Sequence, residues 1–216
     1  MSHHINNKLE IHSNAEEILA SLVGPEGVFD LNALLPMPPE LNITKTAESS
    51  YAERYLRGEI DEVLRSSWAK ARQLNTADAL AEHFQSAGKE LLEVGQQRLT
   101  NIAQFGYADG HDWCIANWGT HRNAYRVDEP EFENDAASIC FVTAQSTPIP
   151  FLQSLSHRFP RTEFDMYFFG EAWNIAGHCY LHGGIQHWNE FVPRKDHGLS
   201  QAIYNEVYGV ELERER

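Results

Sequence analysis

Three histidines bracket a Gly-Gly pair late in the sequence, in the run His178-Cys179-Tyr180-Leu181-His182-Gly183-Gly184-Ile185-Gln186-His187. If Gly183 and Gly184 are the two loop residues of a hairpin, Tyr180 faces His187, His182 faces Ile185 and His178 faces Asn189. Side chains alternate along a strand, so all of these share one side of the sheet. His178 and His182 then lie diagonal to His187, with Cβ atoms roughly 7 Å apart. Imidazoles placed in this way could share a transition metal, and zinc suits them. Exposed strand histidines are also common without a ligand, and neither an HExxH helix nor a paired CxxC accompanies these. A surface that titrates near neutrality is a further use of such a cluster.

Other residues on the same side raise other chemistry. Tyr167, Tyr180 and Phe169 could stack nucleobases as sheet aromatics do in RNA-recognition modules. The RNP1 pattern is absent, and Glu163, Asp165 and Glu171 are close in sequence, so a protein contact, or cover by the helical insertion or a second subunit, outweighs that reading. Cys114 has His111 and His121 nearby, which allows an activated thiol, but a buried structural cysteine has the same sequence signature. The acidic run with Asp128, Glu129, Glu131, Glu133 and Asp135 could hold a hard cation or mimic phosphate spacing, or simply be a solvated strand end. Neither a Gly-rich phosphate loop nor a GxSxG elbow is present.

The elements that must position these residues are readable from periodicity. Ile5, Leu9 and Ile11 alternate as one face of a first strand over 5–12. Ser13-Asn14-Ala15-Glu16 reads as a capping box for a helix with Ile18, Leu19 and Leu22 inside, stopped at Gly24-Pro25. From about 48 to 105 the pattern is helical. Ile60, Val63, Leu64 and Trp68 fall on one face, and a longer stretch starts near Thr76, with Gly88 and Gly95 as places where it could break. The box Asp112-Trp113-Cys114-Ile115-Ala116-Asn117-Trp118-Gly119 reads as architecture: Asp112 caps a short helix, Trp113 and Trp118 wedge it, and Gly119 ends it. Strands are expected over 121–133 and 137–145. A helix is expected after Thr147-Pro148 with Ile149, Leu152 and Leu155 inside. Phe164, Met166 and Phe168 alternate as a further strand, followed by the His-bearing hairpin, whose opposite side carries Ile175, Cys179, Leu181 and Trp188. A C-terminal helix over 199–207 precedes a charged tail.

The order βαββαβ, with a helical insertion and an extra hairpin strand, predicts an α+β, ferredoxin-like antiparallel sheet with helices on one face. The corresponding division is a split ferredoxin-like domain over 1–40 and 108–192, a helical insertion over 41–107, and a C-terminal helix and tail over 193–216.

A net charge of −14, from 31 acidic against 17 basic residues, disfavours generic binding to DNA or RNA and favours a basic partner, with solubility alone as the plainer account. Three cysteines leave one over in any disulfide scheme, which suits a reducing, cytoplasmic setting. No signal peptide or membrane-spanning run is expected.

Several phrases resemble the YubB ferredoxin-like family. They are Val28-Phe29-Asp30-Leu31-Asn32 followed by Leu35-Pro36-Met37-Pro38, the box Trp113-Cys114-Ile115-Ala116-Asn117-Trp118-Gly119-Thr120, Phe141-Val142-Thr143-Ala144 with Pro148-Ile149-Pro150, and Leu155-Ser156 before Phe159-Pro160. The resemblance covers roughly residues 5–40 and 108–182. A basic residue commonly follows the Asn-Trp-Gly-Thr box in that family, where this chain has His121-Arg122-Asn123-Ala124. The resemblance implies the fold and a setting on phages, prophages or conjugative plasmids; it implies no catalytic residues.

The reading is a non-enzymatic protein-interaction module of a mobile element, in one form an acidic inhibitor of a host nucleic-acid-handling or defence protein, with a protein partner, no cofactor and no membrane contact. The alternatives are a small metal-dependent enzyme using His178, His182 and His187, with zinc, and a single-stranded nucleic-acid binder through Tyr167 and Tyr180. Partner identity, oligomeric state and the role of the insertion stay open.

Overall fold

The structure is a computed structural model describing residues 4–86 and 89–209, apart from the side chains of Trp188, Asn189, Phe191, Arg194 and His197. The chain forms two compact units, Met1–Pro36 with Cys114–Arg216, and Met37–Trp113. No described helix is long and apolar enough to cross a membrane.

The first unit opens with β1 (His4–Ile11), whose alternation puts Ile5, Leu9 and Ile11 on the buried side. Asn7 shares that side and is buried with them. Its Nδ2 donates to Thr143 Oγ1 at 2.9 Å and to the Ile5 carbonyl at 3.0 Å, which offsets the cost of a polar group in the core. Helix α1 (Ala15–Ser21) follows, and a single turn α2 (Leu31–Leu34) is capped by Asp30.

The expected capping box over 13–16 does not form. Asn14 takes the cap position with φ 52° and no side-chain bond. Ser13 Oγ turns instead to Thr162 Oγ1 at 3.3 Å, and the Ala15 amide donates to the Asp135 carbonyl at 3.0 Å. A backbone acceptor from elsewhere in the unit has replaced the local one.

The second unit is helical: α3 (Ala47–Leu56), α4 (Ile60–Arg65), α5 (Ser67–Ala71), α6 (Ala77–Gln85) and α7 (Lys89–Phe105). The face Ile60–Val63–Leu64–Trp68 is not one helix. Ser66 ends α4 and caps α5, its Oγ accepting from the Ala69 amide at 3.1 Å. Val63 and Trp68 still meet in one cluster with Ala52, Ala69, Leu74, Leu80 and Phe84. Gly88 lies outside the described residues. Gly95 sits inside α7, where a Cβ would stand 2.9 Å from the Ala52 and Glu53 backbone, so its absence lets α3 and α7 approach. Under that crossing Arg98, 4% exposed, bonds Glu53 Oε2 at 2.7 Å and Asp109 Oδ2 at 2.5 Å.

The Trp box forms α8 (Gly110–Asn117). The carboxylate at its start belongs to Asp109, whose Oδ1 accepts from the Asp112 amide at 3.2 Å. Asp112 is therefore not the cap: its own carboxylate receives Lys45 Nζ at 2.6 Å. Trp113 and Trp118 are buried, Asn117 is half-buried, and Trp118 Nε1 donates to the Leu35 carbonyl at 2.9 Å. Gly119 ends the helix at φ 84°, packed so that a Cβ would meet Pro150 Cδ at 2.5 Å.

The sheet is completed by β2 (Glu131–Glu133), β3 (Ala136–Ala144), β4 (Glu163–Gly170), β5 (Ala176–His182) and β6 (Ile185–Phe191), with α9 (Ile149–Arg158) between β3 and β4. Strand order is β2-β3-β1-β4-β5-β6 and every pairing is antiparallel. Its first four strands have the ferredoxin-like order, and the hairpin extends the β4 side.

The expected strand over 121–133 is reduced to a bridge between Tyr125 and Val142 and to the three residues of β2. Arg126 at φ 49° and Pro130 interrupt what lies between. Helix α9 begins one residue later than its sequence signals suggest, with Pro148 as the cap and Thr147 Oγ1 buried without a hydrogen-bond partner. The Gly183-Gly184 turn has both residues at positive φ, 56° and 79°, as a two-residue type I′ loop requires.

One sheet face holds the main core, where Leu9, Phe141, Phe151, Phe164, Met166 and Phe168 are at most 1% exposed. Each large side chain buried there stabilises the unit by about 1.5–3 kcal/mol. The other face is not open along its whole length. Helix α10 (His197–Tyr208), two residues longer at its start than expected, lies on β1, β4 and β5. Phe169 is fully buried there, edge-on to Tyr204 at 5.4 Å and Trp173 at 5.0 Å, so it is not available for stacking. The tail beyond Gly209 and the side chain of Trp188 lie outside the described residues.

Candidate functional site

The part of the second face that α10 leaves uncovered is organised in transverse rows. Registers across all six strands align Glu131, Ser138, Glu10, Asp165, Tyr180 and His187 in one row. The next aligns Cys140, Lys8, Tyr167, His178 and Asn189. Beyond the first row, on its other side, Glu163 pairs with His182, and His182 with Ile185. The pairings read from the hairpin sequence, Tyr180 with His187, His182 with Ile185 and His178 with Asn189, are those observed.

Asp165 is the centre of the arrangement. It is flanked diagonally by a histidine on either side: His12 Nε2 lies 2.7 Å from Oδ2, and His178 Nε2 bonds Oδ1. Burial pushes its carboxyl up, but the hydrogen bonds and charges of His178 and His12 outweigh that and hold it below the usual carboxylate range. The Tyr167 ring lies on the His178 imidazole, centroids 4.5 Å apart and planes 14° from parallel. Burial, with the charges of Asp165, Glu10 and Glu206, pushes the Tyr167 phenol up to about 12, so it stays protonated at neutral pH. Lys8 Nζ bridges Glu10 Oε1 at 2.8 Å and Glu206 Oε2 at 3.3 Å. Burial alone would lower the Lys8 ammonium, and these carboxylates raise it instead.

Two adjoining clefts open over these rows. One, of about 600 Å³, is lined by Lys8, Glu10, His12, Glu131 and Glu133 among others. The second, of about 280 Å³, continues toward α10 and is lined by Lys8, Asp128, Glu129, Glu131, Cys140 and Glu206. Lys8, Glu131 and Ser138 line both. The acidic run at 128–133 is thus the wall of a groove, and β2 at its rim is an exposed edge strand with Phe132 54% exposed.

The structure separates the histidines expected to act together. His178 is engaged with Asp165 and Tyr167, His182 is exposed beyond the first row, and His187 stands beside Tyr180 at 6.1 Å between centroids. Among the described residues, ligand atoms converge within 4.8 Å in Glu10, His12 and Asp165, and in Asp109, His111 and Asp112, but not in His178, His182 and His187. Burial and the Glu163 carboxylate raise the Tyr180 phenol. Cys114 is buried; His121 bonds Gln145, and His111 bonds Asp112 at 3.1 Å.

Sequence reasoning missed Glu10, His12 and Asp165 as a group. The available signal was alternation: Glu10 and His12 are two apart at the end of β1, and Asp165 and Tyr167 are two apart in β4.

No protein-family model matches the chain, and no curated protein matches it. Among solved structures the chain is similar to the crystal structure of a protein api92 from Yersinia pseudotuberculosis, described by the family model DUF1281. The two are 15% identical with a TM-score of 0.45, over 88% of this chain and 98% of that one.

Proposed function

We propose that this chain is a non-enzymatic protein-interaction module that takes a basic segment of a partner protein into the acidic groove on its second sheet face. The observation that carries the reading is the continuity of the two clefts, walled by Glu10, Asp128, Glu129, Glu131, Glu133 and Glu206, with the Lys8 ammonium and the His12 imidazole also among their lining residues. A concave acidic surface with low-dielectric walls focuses its field and selects a cationic ligand. The same field repels phosphate backbones, which supports a protein partner over a nucleic acid. A place on a mobile element, with a nucleic-acid-handling protein of the host as target, belongs to the same proposal. It is supported by the YubB resemblance and by the net charge of −14.

A short Lys/Arg-rich peptide, followed by fluorescence anisotropy, tests this. Binding is expected at low salt and to weaken as salt rises. The double charge reversal Glu131→Lys with Glu133→Lys should lower affinity at least tenfold, about 1.4 kcal/mol. Reversing Asp61 and Glu62 in α4 changes net charge equally and should have little effect. Equal losses from the two pairs would sink the reading, because the attraction would then be diffuse.

A further inference from the structure

Glu10, His12 and Asp165 bring one ligand atom each to within 4.8 Å of one another. Glu10 and Asp165 are ladder partners across β1 and β4, and His12 follows Glu10 on the same side just past the end of β1. We propose that these three side chains bind one divalent transition-metal ion, with zinc the best match. One imidazole with two carboxylates is a mixed nitrogen and oxygen donor set, which suits zinc better than the all-oxygen shells of magnesium or calcium.

His178 has a supporting part. Its Nε2 bonds Oδ1 of Asp165, which leaves Oδ2, 2.7 Å from His12 Nε2, as the oxygen a metal would take in place of that contact. A hydrogen bond of this kind orients a ligating carboxylate and tunes its basicity. Glu10 and His12 also line the 600 Å³ cleft, so the remaining coordination positions face a space that water or an occupant's side chain can enter.

Lys8 competes for the site, since its ammonium sits 2.8 Å from Glu10 Oε1. It has Glu206 Oε2 at 3.3 Å as a second acceptor, so it can release Glu10 and stay paired. The other convergent group lacks that latitude. Lys45 Nζ is 2.6 Å from Asp112, and the buried Arg98 is 2.5 Å from Asp109, so both carboxylates there are held by cations.

The metal proposal does not rest on the peptide-binding reading, and either can fail alone. Metal-free protein titrated calorimetrically with Zn²⁺ should bind one equivalent, and Co²⁺ should give the visible bands of a low-coordinate site. Mg²⁺ in the same titration should give no saturable heat. His12→Ala and Asp165→Asn should each weaken Zn²⁺ binding at least ~100-fold, and His178→Ala by about 10–100-fold as an outer partner. Lys8→Met should tighten it several-fold, whereas Asp112→Asn and the pair His182→Ala with His187→Ala should bind as wild type. Circular dichroism of each metal-free variant checks that it is folded, and His12→Gln replaces any His12→Ala protein that is not. Absence of Zn²⁺ binding by the wild type, equal binding of Mg²⁺, undiminished binding in the His12 and Asp165 variants, or loss in the His182/His187 pair would each overturn the assignment.

Discussion

The Asp165 carboxylate accepts a hydrogen bond from His12 Nε2 at 2.7 Å, one diagonal step from its ladder partner Glu10. That step ties the end of β1 to the middle of β4. On its other side His178 repeats the contact from β5, so three strands are cross-linked through one side chain.

A pH dependence follows from that position. The folded Asp165 carboxyl lies below its ordinary value, because the bonds from His178 and His12 outweigh burial. A carboxyl depressed on folding contributes its stability in full above its unfolded value of about 3.9 and loses it as pH falls through the folded value. Asp165→Asn should therefore cost about 1–2 kcal/mol at neutral pH and make the decline below about pH 4 shallower. Urea unfolding of both proteins across that range is the check; identical pH slopes would refute it.

Arg98 in the helical unit should be far less tolerant. It is the common partner of Glu53 and Asp109, which are 7% and 0% exposed. Arg98→Met leaves the buried Asp109 carboxylate without its cation, while Glu53 keeps Arg57 Nη2 at 2.7 Å from Oε1, and a loss of about 3–5 kcal/mol is expected. Thermal unfolding followed at Trp68, which sits in that unit's core, reads it directly. A loss below about 1 kcal/mol would mean that water already relieves the pair.

Gly95→Ala should run against helix propensity. On an exposed helix face the change gains up to about 1 kcal/mol. Here the new Cβ would stand 2.9 Å from backbone atoms of Ala52 and Glu53, which cannot swing aside as a flexible side chain can. A net loss of about 1–3 kcal/mol is expected. Denaturant unfolding decides the sign, and a stabilised variant would show that α3 can give way.

Helix α10 makes its own prediction. Tyr204 meets Phe169 edge-on, stacks on Trp173 at 5.8 Å and lies tilted against Tyr208 at 4.4 Å. Tyr204→Ala should cost about 1–3 kcal/mol and expose enough apolar surface to raise binding of a hydrophobic dye. Unchanged dye binding would show that the helix stays seated without it.

The hairpin was legible because its information is local. Two glycines fix the turn, the turn fixes the register, and the register fixes which of His178, Tyr180, His182 and His187 are neighbours. The centre of the site was not legible, for the converse reason. Glu10 meets Asp165 through a β1–β4 offset that no turn specifies, since those strands are separated by most of the chain. The caps failed in a related way. Ser13 and Thr147 have the right types, but Ser13 bonds Thr162 and the Ala15 amide found a distant carbonyl first. The cover over Phe169 comes from a segment whose own periodicity says only that it is a helix.

The placement of β1 at the sheet's centre also has a temporal consequence. Its neighbours β3 and β4 begin at Ala136 and Glu163, whereas the helical unit is one continuous stretch, Met37–Trp113. During synthesis the helical unit can close on local contacts while β1 waits with both hydrogen-bonding edges unpaired, and the pairing it needs is the slow, non-local kind. Refolding should therefore resolve into a fast phase reported by Trp68 and a slower one reported by Trp118 and Trp173, measurable in single-tryptophan variants; one shared rate would show that the units fold together. For this chain, the interval between making its first strand and making that strand's partners is the period of greatest exposure to wrong pairing.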